Sequence, residues 1–132
     1  MNDFLQWLWY RPAVKGTSLR GVAPMKLNSS TVKKLVQSEL ARGEPFHSWH
    51  GVTAQNIQNF LVEPFPVMTS PDDLDTQRRT MWVVLQERAK PTDGYVIVYD
   101  PLSGTWNVAE HWKDDYIVTI TGPSLAQALD GM

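Results

Sequence analysis

The sequence contains no cysteine among its 132 residues. Disulfide bonds, thiolate metal sites and cysteine nucleophiles are therefore excluded. The chain also lacks a glycine-rich phosphate loop and a Gly-x-Ser-x-Gly elbow, which argues against P-loop or Rossmann-type enzymes and against α/β-hydrolases. The apolar run over residues 3–10 is shorter than the roughly 20 residues that span a bilayer, and no basic segment precedes it. We expect a cytoplasmic protein without a membrane segment.

What the chain does contain is the composition of an ordinary globular protein. Hydrophobic residues make up 42% and charged residues 20% of the sequence, which is close to the usage of folded domains. A second hydrophobic core would be hard to fit into 132 residues. We therefore expect a single domain over residues 1–132.

Charge is distributed unevenly along the chain, although the net charge is only −2. Residues 1–44 carry seven basic and three acidic side chains, whereas residues 45–132 carry five and eleven. This difference indicates either a surface that steers a charged partner or two halves that neutralise each other within the fold. On the first interpretation, the candidate partner-binding cations are Lys33, Lys34 and Arg42.

The clearest helix follows Ser29 or Ser30, either of which can cap its first turn. Its apolar positions recur at helical spacing, and they are Val32, Leu35, Val36 and Leu40. Gly43 supplies a left-handed stop. Before this helix, residues 3–10 predict a short helix or apolar arm, and residues 12–29 predict a loop or weak strand pair.

A second short helix is predicted from Thr53 as N-cap to the residues before Pro64. It would bury Ile57, Phe60 and Leu61. After Pro66 the pattern changes from helix to sheet. Four segments rich in β-formers predict strands, and they are Thr80–Arg88, Tyr95–Tyr99, Trp106–Glu110 and Tyr116–Thr121.

The connections between these strands are short enough for antiparallel neighbours. The turn over residues 100–104 has proline and glycine at the positions where a hairpin turn favours them. A closing helix begins near Ser124. The expected fold class is therefore α+β, with N-terminal helices packed on a mostly antiparallel meander of about four to five strands and a short C-terminal helix.

Tryptophan is the most unusual feature of the composition, with six residues in the chain. Trp82 and Trp106 lie in predicted strands and are expected in the core. The others fall in terminal or loop regions, and they are Trp7, Trp9, Trp49 and Trp112. Tryptophan is enriched at binding hot spots, so Trp49 and Trp112 are candidate partner-binding residues, although they could instead cover the edge of a small core.

A metal site is a weaker alternative. His47 and His50 are three residues apart, a spacing that lets two side chains on a helix bind one ion, with Glu44 or His111 as a third ligand. Pro45 and the glycine after His50 favour a loop instead. We expect these histidines to be ordinary loop or core residues, and we expect no cofactor.

The remaining clusters are acidic. Asp72, Asp73 and Asp75 form one group, and Asp114 with Asp115 forms another. Either group could bind a divalent cation, but a solvated loop or a hairpin turn accounts for them equally. Binding of nucleic acid is disfavoured by the acidic net charge and by the absence of recognition motifs.

We therefore expect a non-catalytic, protein-binding module, of which an immunity-type protein that neutralises a bacterial toxin is one form. A small enzyme or metal-binding protein that uses His47, His50 and His111 is the first alternative. A homo-oligomeric structural or ligand-binding subunit is the second, because strand Tyr116–Thr121 has few charges to protect it if it lies at a sheet edge.

Overall fold

The computed structural model describes residues 27–71 and 77–132. Helix α1 (Ser29–Ala41) comes first and helix α2 (Leu125–Gly131) comes last. Five strands lie between them: β1 (Leu61–Ser70), β2 (Arg79–Gln86), β3 (Tyr95–Asp100), β4 (Thr105–Trp112) and β5 (Asp115–Gly122). This arrangement is the α+β fold expected from the sequence. Three predicted features lie outside the described residues: the helix or apolar arm over 3–10, residues 12–26 of the loop or weak strand pair predicted over 12–29, and the cluster of acidic residues over 72–75.

Helix α1 follows its predicted pattern, with one difference at its start. Val32 and Val36 are buried, and Gly43 has the left-handed φ of 67° that stops the helix. The cap is Asn28 rather than a serine, because the Asn28 side-chain oxygen accepts a hydrogen bond from the Thr31 amide at 2.9 Å. An asparagine in this position satisfies one of the unpaired amides of the first turn.

The prediction of a helix that begins at Thr53 is wrong. Thr53 and Asn56 do cap each other's amides, but only a 3-10 turn over Ile57–Asn59 follows before strand β1 begins. The extended conformation is favoured here because Pro64 and Pro66 have no amide proton to give to a helix. Proline is also tolerated in a strand whose pairing is irregular, and the β1–β2 register shifts between Leu61 and Phe65.

The other four strands lie where the sequence predicts them. Strands β1 to β5 form an antiparallel meander in chain order, and the sheet closes through a short parallel pairing of β1 with β5 at Thr69–Tyr116 and Ser70–Ile117. Strand β5 therefore has a neighbour on both sides at its start. The open edge that the homodimer alternative considered is not present there.

Two hydrophobic clusters occupy the two faces of this sheet. The inner cluster consists of strand residues at alternating positions, which are Met81, Val83, Val96, Val98, Ala109 and Tyr116. The outer cluster joins the sheet to both helices through Val32, Val36, Val84, Leu85, Ile97, Val108, Leu125 and Leu129. Each fully buried side chain of this size contributes roughly 1.5–3 kcal/mol.

A register shift in β2 determines how the outer cluster is built. The pairing moves from Val83–Val98 to Leu85–Ile97, which leaves Val84 as an extra residue. Val84 and Leu85 therefore both belong to the outer cluster although they are consecutive. No helix in the described parts of the chain is long and apolar enough to cross a membrane.

Candidate protein-binding surface

The segment over residues 43–58 joins α1 to β1 and packs across the end of the sheet. Three hydrogen bonds position it. The His47 amide donates to the Asp130 carboxylate at 2.6 Å, His50 Nδ1 lies 2.6 Å from Glu87 Oε2, and Asn56 Nδ2 donates to the carbonyl of Gly51 at 2.9 Å. Because these partners come from α2, from the residue that follows β2 and from the segment itself, the segment is held to the fold at several points.

A cavity of about 640 Å³ lies between this segment and the two helices. Its apolar walls come from three parts of the chain, and they include Leu40, Phe46, Val52, Ile57, Leu125 and Leu129. This volume is within the roughly 300–1,000 Å³ of pockets that take drug-sized ligands. The cavity is thus large enough for several apolar side chains of a partner.

Glu39 closes the wall of the cavity between the two helices. Its carboxylate accepts a hydrogen bond from the Leu125 amide at 2.9 Å, where α2 begins, and another from Arg42 Nη1 at 3.0 Å. The amides at a helix start carry partial positive charge, so this carboxylate stabilises α2 as well as joining it to α1. Glu39 is therefore a structural residue of the cavity wall.

Trp49 stands on the surface beside this cavity. Its side chain is 81% exposed, and its ring meets the His47 ring edge-on with the centroids 4.8 Å apart. His47 itself lines the cavity. Since an exposed tryptophan next to an apolar cavity offers a large contact area, this pair marks the candidate binding surface.

Trp112 is exposed at the same end of the sheet. It is 60% exposed and lies at the end of β4, not in a loop as the sequence suggested. Glu110 pairs with Tyr95 across β3 and β4, and Trp112, two residues further on, shares their face. The Tyr95 ring contacts the His50 ring at 5.2 Å, which links this face to the segment that carries Trp49.

The three candidate partner-binding cations differ in whether the structure shows them in ion pairs. Lys33 pairs with Glu63 at 3.2 Å, and Arg42 pairs with Glu39 at 3.0 Å and Glu44 at 3.7 Å. Lys34 is exposed on α1. Lys33 and Arg42 are thus already neutralised in part by acidic neighbours. Only the Lys33–Glu63 pair joins the two halves of the chain, because Glu39 and Glu44 belong to the same half as Arg42.

The three histidines do not meet at one point. His47 contacts Trp49, His50 pairs with Glu87, and the His111 ring packs edge-on against Tyr116 at 5.3 Å. Among residues 27–71 and 77–132, no three histidine or carboxylate side chains are grouped so that they could hold a metal ion. The geometry of the described residues therefore offers no support for the metal-binding alternative.

Sequence reasoning missed a buried carboxylate at the opposite end of the sheet. Asp100 is 1% exposed. Arg79 donates to it through Nε at 3.0 Å and Nη2 at 2.6 Å, and the Leu102 amide and the Ser103 hydroxyl donate at 3.0 and 2.8 Å. Burial alone would raise the pKa of Asp100, but these hydrogen bonds outweigh it and hold the pKa below its ordinary value.

A polar cavity of about 190 Å³ lies beside Asp100. Its lining includes Arg79, Ser103, Thr105 and Asn107. These groups hydrogen-bond one another, since Ser103 contacts Thr105 at 2.7 Å and Asn107 Nδ2 reaches the Thr105 hydroxyl at 3.2 Å. These polar groups therefore bond to one another within the protein, and we interpret their role at this cavity as structural.

The larger cavity could not be found from sequence patterns, because its walls come from residues up to 90 positions apart. Trp49 and Trp112 were identified from composition and from their placement outside the predicted strands. Comparisons with protein-family models, with curated proteins and with solved structures find no match to this chain.

Proposed function

We propose that this chain is a non-catalytic module that binds another protein. Its binding surface is the apolar cavity between the helices together with exposed Trp49. Trp112 extends the surface along the same end of the sheet. A few large aromatic side chains supply most of the free energy in many protein interfaces, and apolar cavities receive the anchoring side chains of the partner.

The observation that carries this proposal is the position of Trp49. A tryptophan that is 81% exposed contributes little to the stability of its own fold, because most of its apolar surface stays in water. Placed next to a cavity of about 640 Å³, it becomes useful when a partner covers both features. This arrangement distinguishes Trp49 from Trp106, which is 3% exposed and part of the outer hydrophobic cluster.

The proposal is tested by capture of partners from the native lysate with the tagged full chain, followed by mass spectrometry. We expect one stoichiometric protein partner, and we expect Trp49→Ala to lose it. Leu102→Ala is the matched control, because Leu102 is 77% exposed but lies in the turn at the far end of β3. Loss of the partner with the control alone, or no stoichiometric partner with the unchanged chain, contradicts the proposal.

The narrower form of the proposal is an immunity-type protein that acts in the cytoplasm. The absence of cysteine agrees with a reducing compartment. In this form the captured partner is a bacterial toxin, and the unchanged chain abolishes its toxicity at equimolar amounts. Toxicity that persists in the saturated complex would remove the immunity assignment while leaving protein binding intact.

A further inference from the structure

The apolar cavity between the helices has a buried floor. The floor is formed by side chains of the outer hydrophobic cluster that are no more than 3% exposed, which are Val52, Ile57, Leu125 and Leu129. Leu40 and Phe46 also line the cavity and are only half-buried. A ligand that covers these two side chains removes apolar surface from water, which favours binding.

One buried polar side chain lies among these apolar walls. Ser48 lines the cavity and is 8% exposed. Its Oγ accepts a hydrogen bond from the His50 amide at 3.2 Å. A serine hydroxyl also has one proton to donate, and no group in the described parts of the chain accepts the proton of Ser48. The cavity wall therefore holds a buried donor that the fold itself does not use.

A buried donor without an acceptor is unfavourable, because water would hydrogen-bond to the same group in the unfolded chain. An acceptor oxygen on a ligand in the cavity would satisfy it. Sites for small molecules commonly combine apolar walls with a few polar groups that fix the orientation of the ligand. The floor of this cavity and the Ser48 hydroxyl correspond to these two parts.

The charged groups around the cavity favour an uncharged ligand. Glu39 accepts hydrogen bonds from the Leu125 amide and from Arg42, and Glu44 pairs with Arg42 at 3.7 Å. Both carboxylates thus already have partners within the protein. In the described parts of the chain no lysine or arginine lines the cavity, so an anionic ligand would meet two carboxylates there and neither of these cations.

The combination of an apolar body with an acceptor oxygen distinguishes a small molecule from most side chains of a partner protein. Leucine, phenylalanine and the other purely apolar side chains have no acceptor oxygen, and the side chains that carry a carbonyl group are short and polar. A small molecule can join a large apolar body to one carbonyl. The cavity volume of about 640 Å³ is in the range of sites for such molecules.

We propose that the apolar cavity binds an uncharged small molecule with a largely apolar body and one carbonyl oxygen, which accepts a hydrogen bond from Ser48 Oγ. This inference goes beyond the proposed function, because it concerns the chain without a partner protein. The ligand takes the place of partner side chains inside the cavity. Trp49, which is 81% exposed, stays available to a partner.

Two matched probes test the role of the acceptor oxygen on the full chain. They are 2-acetylnaphthalene and 2-isopropenylnaphthalene, which has a CH₂ group in place of the carbonyl oxygen. Isothermal titration calorimetry measures their affinities. We expect the ketone to bind about five- to tenfold more tightly, because only the ketone can accept a hydrogen bond from Ser48.

Ser48→Ala should remove most of this difference between the probes, because it removes the donor. Ser38→Ala is the control, since Ser38 is exposed on α1 and does not line the cavity. Thermal unfolding checks that both variants are folded. If Ser48→Ala does not fold, the two probes on the unchanged chain and the variant described next still decide the question.

A substitution that fills the cavity locates the binding site. Ala54 is exposed and lines the cavity, so Ala54→Trp should weaken binding of the ketone about tenfold or more. Ala89→Trp is the matched control, because Ala89 is also exposed but lies in the connection between β2 and β3. This control should bind the ketone as the unchanged chain does.

No binding of either probe, equal affinity for the two, or unchanged ketone binding by Ala54→Trp overturns the inference. Tighter binding of 2-naphthoate than of the ketone would assign the cavity to an anionic ligand and would overturn it as well. None of these results affects the proposed function, which is tested by partner capture and by Trp49→Ala. Failure to capture a partner, in turn, leaves the affinities of the probes unchanged.

Discussion

The two ends of the sheet each hold a carboxylate at a hairpin, and the two carboxylates are satisfied in different ways. Asp100 ends β3 and receives hydrogen bonds from Arg79 and from its own turn. Glu87 follows β2 and receives the Tyr95 amide at 3.0 Å and His50 Nδ1 at 2.6 Å. At the Asp100 end every partner belongs to the sheet and its turn. At the Glu87 end one partner belongs to the segment over 43–58.

This difference distinguishes the two ends of the sheet. We call the Asp100 end the closed end and the Glu87 end the open end. The Arg79–Asp100 pair joins two charges at neutral pH, because arginine stays protonated. The His50–Glu87 contact is an ion pair only when His50 is protonated. The contact that joins the Glu87 end to the segment beside the cavity is therefore weaker than the Arg79–Asp100 ion pair. We expect that substitutions can change the structural end and the candidate binding end of the molecule separately.

The largest effect is expected from Asp100→Ala. This substitution leaves Arg79 and the Leu102 amide without their buried acceptor. Breaking a buried pair from one side costs about 3–5 kcal/mol, and we expect the lower part of this range because Arg79 is partly exposed. Urea unfolding measures the change in free energy.

Asp100→Asn is the matched variant for this measurement. It keeps an acceptor for the Leu102 amide and should therefore cost less than Asp100→Ala. A cost below about 1 kcal/mol for Asp100→Ala would show that this end of the sheet is not held by the carboxylate.

A smaller effect is expected from Glu87→Ala. The Tyr95 amide then loses its acceptor, which costs about 1–3 kcal/mol if the amide stays buried. Glu87→Gln keeps an oxygen acceptor and is expected to cost less. Hydrogen exchange at the Tyr95 amide measures the local effect, and unchanged protection in Glu87→Ala would contradict the assigned bond.

Acid should weaken both ends in the same direction. Burial would raise the pKa of Glu87, but the Tyr95 amide and His50 outweigh it and hold the pKa below its ordinary value, as the partners of Asp100 do. A carboxylate with a lowered folded pKa contributes stability above its unfolded pKa of about 4, and this contribution is lost as the pH falls through the folded value.

The stability difference between the unchanged chain and Asp100→Asn should therefore be constant from neutral pH down to about pH 5 and should shrink below about pH 4. Urea unfolding at stepped pH values measures this difference. A difference that stays constant to pH 2 would show that the lowered pKa of Asp100 does not contribute to stability.

Local patterns predicted the parts of this fold that local physics determines. Helix α1, four strands and the turn at Gly104, with its φ of 72°, all follow from apolar spacing and turn residues. Strand β1 was missed because its two prolines and its register shift obscure the alternation of a strand. There, pairing with β2 decides the conformation, and no pattern within the segment reports that pairing.

The candidate site was predictable only in part, for a related reason. Exposure of Trp49 follows from its place in a loop, whereas the cavity depends on contacts between distant parts of the chain. Glu39 and Leu125 meet across 86 positions, and His47 and Asp130 across 83. Such contacts arise from packing of the helices on the sheet, so a single sequence does not indicate them.

The smallest effect on stability and the largest effect on binding should come from the same residue. Trp49→Ala removes a side chain that is 81% exposed, so we expect the free energy of unfolding to change by no more than about 0.5 kcal/mol. Leu102→Ala should match it at the closed end, because Leu102 is 77% exposed. Only Trp49→Ala should reduce partner capture. If Trp49→Ala unfolds the chain, Trp49 is a core residue and the surface proposed here loses its anchor. If both variants are stable and both keep the partner, the binding surface lies elsewhere on the molecule.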